Sequence, residues 1–201
     1  ILNWILENKT IEVALVVSQP DKPVWRKKIL TPTAVKVIAQ ENNIPVLQPE
    51  KLRKNTDFFR TLEELNLDFI VVVAYGKIVP EWVLNAPKTA CINIHWSILP
   101  AYRWASPIQE AVKNWDSKTG LTIMYMSQWM DEWDILKIEE VGINRDDTTL
   151  DIFNKFQDIW SKVLINTLEW VLSWNIVWQK QDDSKATYCS KIEKEDWSID
   201  F

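Results

Sequence analysis

Asp68-Phe-Ile-Val-Val-Val-Ala-Tyr75, followed further on by Ala90-Cys-Ile-Asn-Ile-His95, is the stretch that decides the fold. Both segments are short and nearly all apolar, as strands covered on both faces should be. Working outward, Ile11-Glu-Val-Ala-Leu-Val-Val-Ser18 and Ile44 to Leu47 read as further strands. Helical periodicity falls between them, over about Thr33 to Asn43 and over Asp57 to Asn66, where Phe58, Leu62 and Leu65 share a face. A helix near Pro107–Lys113 follows, then strands over Leu121–Met126 and Ile135–Val141. The long helix from about Thr148 to Leu172 aligns Phe153, Phe156, Trp160, Val163, Leu164, Leu168 and Val171. Strands and helices alternating at this spacing predict an α/β protein with a mostly parallel sheet. The chain opens in a helical segment, Ile1 to Glu7, so a first strand is expected to be missing. A polar tail runs from 175 to 201 and stops without a clear end, which reads as part of something longer.

The chain has 201 residues with 23 Lys+Arg against 28 Asp+Glu, a net charge of −5. That length can bury a full core, and the charge excludes a global basic field for nucleic acid. Any such contact must be local. A basic stretch runs over Asp21-Lys-Pro-Val-Trp-Arg-Lys-Lys28, where Pro20 and Pro23 argue against regular structure. Cys91 and Cys189 lack both a disulfide framework and metal-ligand spacing. No apolar run reaches the roughly 18 residues of a membrane span. The expectation is a soluble, cytoplasmic monomer without a metal.

One feature of the composition is abnormal: 13 Trp stand against 3 Gly, where ordinary usage gives about 14 Gly in this length. Trp115, Trp133, Trp174 and Trp197 sit in turn contexts among Asn, Asp and Ser. Those are positions where glycine supplies positive φ. Most of the tryptophans therefore read as occupants of glycine sites.

His95 is the sole histidine, two residues after Asn93 on one strand. Residues i and i+2 project from the same face, so an amide donor and a titratable imidazole share one site. Open α/β sheets bind ligands at the carboxyl ends of strands, where this pair lies. Such a pair can stabilise a developing oxyanion and move a proton. The loop Ser127-Gln-Trp-Met-Asp-Glu-Trp-Asp134 offers Asp131, Glu132 and Asp134 as carboxylates to hold the imidazole.

Cys91-Ile-Asn-Ile-His-Trp-Ser-Ile-Leu-Pro-Ala-Tyr-Arg-Trp-Ala-Ser-Pro-Ile-Gln109 resembles the signature segment of the 10-formyltetrahydrofolate-dependent formyltransferases. Thr119 to Met126 and Met130 to Leu136 resemble that superfamily too. Gln19 to Lys28 and Ile44 to Leu52 are similar to its methionyl-tRNA formyltransferases, and the resemblance runs across essentially the whole chain. It implies a Rossmann-like catalytic domain over 1–201, whose tail leads toward a C-terminal tRNA-binding domain. It implies Asn93, His95 and Asp131 as catalytic residues and Ser97, Ile98, Leu99 and Pro100 as the folate-binding stretch. Arg26, Lys27 and Lys28 match the basic loop that meets the acceptor end of tRNA. The implied reaction moves a formyl group from 10-formyltetrahydrofolate to the α-amine of initiator methionyl-tRNA, with no metal.

The family pattern has Gly or another small residue where this chain has Trp25, Trp96, Trp104, Trp129 and Trp133. An indole at Trp96 or Trp133 is expected to press on backbone or fill the folate cleft. Two alternatives stay open at this point. One is a sibling formyltransferase acting on an amino sugar or a purine precursor. The other is a non-catalytic folate- or RNA-binding module with a blocked cleft.

Overall fold

The computed structural model describes residues 2–24, 29–126, 133–173, 177–193 and 196. Arg26, Lys27, Lys28 and Asp131 lie outside the described residues. The chain divides into two compact units, residues 1–91 and 92–201.

In the first unit, α1 (Leu2–Glu7) leads to β1 (Val16–Val17), β2 (Lys22–Val24) and β3 (Ile29–Thr31). Next come α2 (Ala34–Glu41), β4 (Val46–Leu47), α3 (Thr56–Leu65), β5 (Phe69–Val73) and α4 (Glu81–Leu84). The strand expected over Ile11–Ser18 is reduced to two residues, paired in parallel with β4 so that Val16 faces Val46. Pro45 and Pro49 bracket β4, and neither has an N–H to extend the ladder.

The proline-marked stretch is more regular than the sequence predicts. Strands β2 and β3 form an antiparallel ribbon with Pro23 opposite Leu30. Both strands of a two-stranded ribbon are edges, where a residue without a donor is tolerated. Thr33 caps α2 by accepting the Lys36 N–H, and Asn55 caps α3 by accepting that of Phe58. Helix α3 buries Phe58 and Leu62 with Leu52 and Val83, while Leu2, Val16 and Ala39 form a second apolar cluster.

Strand β6 (Ala90–His95) carries the chain into the second unit. There follow β7 (Arg103–Trp104), α5 (Pro107–Lys113), β8 (Lys118–Tyr125), β9 (Ile135–Gly142) and α6 (Thr149–Leu172). The tail adds a short 3-10 turn, Asp183–Lys185, and β10 (Tyr188–Cys189).

The β6–β8 and β8–β9 pairs are antiparallel, with His95 opposite Thr122 and Thr119 opposite Val141. The alternation of elements predicts parallel pairing here, and for β8 and β9 the connection explains the difference. Residues 126–134 are too few for the crossover of a dozen or more residues that parallel neighbours need. Parallel pairing occurs at β1–β4 and at β7–β10. The architecture is α/β, with strands of both senses.

Helix α6 packs on β8, β9 and α5 and buries Ile152, Phe156, Trp160, Leu164, Leu168 and Val171. Its apolar stripe starts one residue earlier than the sequence reading places it: Ile152 is buried and Phe153 is exposed. Gly120 on β8 is obligatory. A Cβ there would lie 2.5 Å from the Glu139 carbonyl oxygen and 2.8 Å from Ile98 Cγ1. That close approach sets the loop after β6 against β8.

Candidate active site

The C-terminal end of strand β6 presents Asn93 and His95 on one face, as the period of two requires. Asn93 is half-buried, and His95 is 6% exposed. The opposite side chains, Ile92 and Ile94, are core. The strand is thus anchored by one face while the other carries polar chemistry.

His95 Nε2 lies 2.8 Å from the carbonyl oxygen of Tyr102. A carbonyl only accepts, so Nε2 carries the hydrogen and donates. In the neutral ring the lone pair then sits on Nδ1.

The four residues Ser97 to Pro100 divide into two roles. Ser97 is fully buried, and its hydroxyl donates to the Ala101 carbonyl at 2.6 Å. Thr122 Oγ1 donates to the Ser97 carbonyl at 2.6 Å and accepts the Leu99 N–H at 3.2 Å. Leu99 packs into a cluster with Met124, Ile135 and Ile138. Ser97 and Leu99 therefore build the loop, while Ile98 and Pro100 are half-exposed.

Tyr102 sits in the left-handed region at φ 58°. Its phenol donates to Asp116 Oδ2 at 2.7 Å and accepts from Asn114 Nδ2 at 3.1 Å. Burial above all, and then the Asp116 carboxylate, push that phenol above its usual value, so it stays protonated.

Trp96 does not occupy the His95 side of β6. Its ring packs on α6, with centroids 5.4 Å from Phe156 and 6.4 Å from Phe153. Alternation sends it to the face opposite His95, which corrects the expectation of a filled cleft at this residue. The glycine-site reading is met at two of the described tryptophans: Trp104 has φ 84° and Trp115 has φ 56°. The Trp133 carbonyl accepts from Gln181 Nε2 at 2.8 Å.

Sequence reasoning missed Arg103 and the tail that meets it. The Arg103 side chain is 1% exposed and donates to Gln181, Asp183 and Tyr188. Its position inside the motif Pro100-Ala-Tyr-Arg103 gives no hint of burial, because its partners lie some eighty residues away, as with the separation of 80 to Asp183. Burial lowers its tendency to hold a proton, but Asp183 and Tyr188 outweigh this and raise it.

In the first unit, the base of the β2–β3 ribbon is tied by a polar network. Lys36 Nζ donates to Asp21 at 2.6 Å, and Gln48 Nε2 donates to Asp21 and to the Gln19 carbonyl, each at 2.7 Å. Lys36 foremost, then Gln48, holds the Asp21 carboxyl below the usual range. Among the described residues, no group of three His, Cys, Asp or Glu side chains is arranged to hold a metal ion, and no helix is long and apolar enough to cross a membrane.

Known proteins resemble this chain along its length. Residues 1–168 match the formyl transferase family. The chain is 44% identical over 201 residues to the methionyl-tRNA formyltransferase of Caldicellulosiruptor saccharolyticus, covering all of this chain and 64% of that protein. It is 43% identical over 202 residues to the enzyme of the same name from Sulfurimonas denitrificans, covering 65% of it. The chain thus spans just under two thirds of these relatives. Among solved structures, phosphoribosylglycinamide formyltransferase from Bacillus halodurans superposes with a TM-score of 0.72 at 27% identity, over 86% of this chain and 89% of that one. The sugar 3N-formyltransferase WlaRD superposes at 0.69 and 19% identity, covering 98% and 66%, a likeness of fold alone. An amide and an imidazole at the end of a buried strand, the loop they share and these matches lead to one assignment: the chain belongs to the formyl transferase family.

Proposed function

We propose that residues 1–201 serve, as a monomer, as the catalytic domain that formylates the α-amine of initiator methionyl-tRNA with 10-formyltetrahydrofolate. The observation that carries the reading is the Asn93–His95 pair on one face of β6, in a chain 44% identical to a methionyl-tRNA formyltransferase over its full length. The residues present suit a formyl donor: two hydrogen-bonding side chains stand at a strand end beside the half-exposed Ile98 and Pro100. The folate supplies the formyl carbon and leaves as the amine.

The chain's own residues do the rest. The Asn93 amide donates to the formyl oxygen as it gains negative charge, which counts most in the transition state. The His95 ring stands beside it to take the proton that leaves the attacking amine and pass it to the folate nitrogen as that nitrogen leaves. Asp131, which lies outside the described residues, is assigned a catalytic role by resemblance. Ile98 and Pro100 line the donor, and Ser97 and Leu99 hold their loop in shape. Arg26, Lys27 and Lys28, also outside the described residues, are assigned to phosphates of the acceptor stem.

Formylation assays with methionyl-tRNA, an amino-sugar nucleotide and phosphoribosylglycinamide, run side by side, test the acceptor. Turnover is expected with methionyl-tRNA alone. The Asn93→Ala and His95→Ala proteins should each lose about a hundredfold or more in kcat with an unchanged circular dichroism spectrum. Near-full activity in either overturns the mechanism, and preference for a small acceptor overturns the substrate.

A further inference from the structure

The carbonyl that holds His95 belongs to a residue whose conformation is not self-supporting. Tyr102 occupies the left-handed region at φ 58°, and Trp104 two residues later at φ 84°. Each costs a residue with a Cβ about 1 kcal/mol or more, and such backbone persists only where its surroundings over-determine it. Those surroundings come from the far end of the chain.

Three backbone bonds and one side chain fasten the tail to this turn. The Tyr102 N–H donates to Thr187 Oγ1 at 2.8 Å, and the Arg103 N–H donates to the Thr187 carbonyl at 2.9 Å. The Thr187 N–H returns to the Pro100 carbonyl at 3.2 Å, and the Ala105 N–H donates to the Cys189 carbonyl at 3.1 Å. Beneath them the buried Arg103 guanidinium clamps the segment before the strand. Its Nη2 reaches Gln181 Oε1 at 2.8 Å and Asp183 Oδ1 at 2.6 Å. The same segment reaches the other side of the site. Gln179 exchanges both backbone bonds with Ile135, at 2.8 and 2.9 Å, and the Gln181 amide donates to the Trp133 carbonyl.

We propose that Gln179–Cys189 is a strap that selects the His95 tautomer, with Arg103, Asp183 and Thr187 as positioning residues. The strap fixes the Tyr102 carbonyl, that carbonyl fixes the hydrogen on Nε2, and Nδ1 is thereby kept as the proton-accepting atom of the neutral ring. A covering segment with no such role would bury apolar surface. This one instead places a buried cation and a run of backbone bonds within one residue of the histidine's partner. The kinetic part of the inference rests on the formyl-transfer reading, and the tautomer part does not.

Because His95 is the only histidine, one imidazole accounts for the whole signal of protein labelled with 15N-histidine. Long-range 1H–15N spectra at alkaline pH should show a single species with the hydrogen on Nε2. The Thr187→Val change keeps the shape of an exposed side chain and deletes the bond to the Tyr102 N–H; Asp183→Ala removes the exposed partner of Arg103. Each should give averaging between tautomers and lower kcat about tenfold, with KM for both substrates within about twofold. Thr187→Ser, which restores the hydroxyl, should return both readouts to the parent values. An Nδ1–H tautomer in the parent protein overturns the proposal, as does an unchanged tautomer in both variants. Absence of formyl transfer in the parent protein overturns the functional reading instead, and the spectra still decide the strap.

Discussion

At the scale of single residues, Trp115 carries the plainest conflict between sequence and backbone. Helix α5 ends in a pair of bonds, from the Asp116 N–H to the Ala111 carbonyl and from the Trp115 N–H to the Val112 carbonyl, each 3.1 Å. This is the Schellman arrangement, which needs a left-handed residue and favours glycine there. Helix α2 closes in the same way with Asn43 at φ 57°, a residue that tolerates the region. Trp115 has no such tolerance, and it is 77% exposed. Trp115→Gly should therefore raise stability by about 1 kcal/mol, seen as a Tm higher by roughly 2–4 °C in thermal unfolding. A lower Tm would mean that the indole contributes contacts that outweigh its strain. Trp104 is a weaker case for the same change, because its ring packs 4.7 Å from that of Tyr188.

At the scale of an element, α6 shows how a helix start couples to pH. Thr148 accepts the Asp151 N–H while the Asp151 carboxylate accepts from the Thr148 N–H and hydroxyl, a capping box. The Thr148 hydroxyl foremost, then its N–H, holds the Asp151 carboxyl below its usual value. Lys155 foremost, then the Asn144 backbone, does the same for Asp147. Both groups have folded values below their unfolded ones. They stabilise the fold above the unfolded carboxylate value of about 3.9, and this stabilisation is lost as pH falls through the depressed folded values. Thr148→Ala should cost about 1 kcal/mol at neutral pH and flatten the acid limb of a Tm-against-pH curve. An equal loss of Tm at every pH would show that the hydroxyl only caps and does not set the Asp151 carboxyl.

At the scale of the whole molecule, a chain of net charge −5 can meet nucleic acid only through a local patch, and the proposed function assigns that contact to Arg26, Lys27 and Lys28. Arg26→Ala should raise KM for methionyl-tRNA about tenfold while leaving folate affinity within about twofold, and the tRNA term alone should steepen with salt. Equal losses for both substrates would make Arg26 structural. Much of this is legible along the chain, because it depends on neighbours in sequence. The apolar run at β6, the two-residue spacing of Asn93 and His95, the long apolar stripe of α6 and the surplus of Trp over Gly are all local patterns. What the tertiary structure alone decides depends on groups distant in sequence. It sets the antiparallel sense of β8 and β9, the folding of Trp96 onto α6, the burial of Ser97 and Leu99 against the half-exposure of Ile98 and Pro100, and the burial of Arg103. Tyr188 and Cys189 form a strand of two residues only because Arg103 and Trp104 offer them an edge, and no propensity summed over two residues could announce it. The sequence by itself determined which chemical groups stand at the strand end. The placement of the Tyr102 carbonyl against His95 Nε2 is decided by the tertiary structure, since the Tyr102 backbone is held by Thr187, a residue 85 positions away.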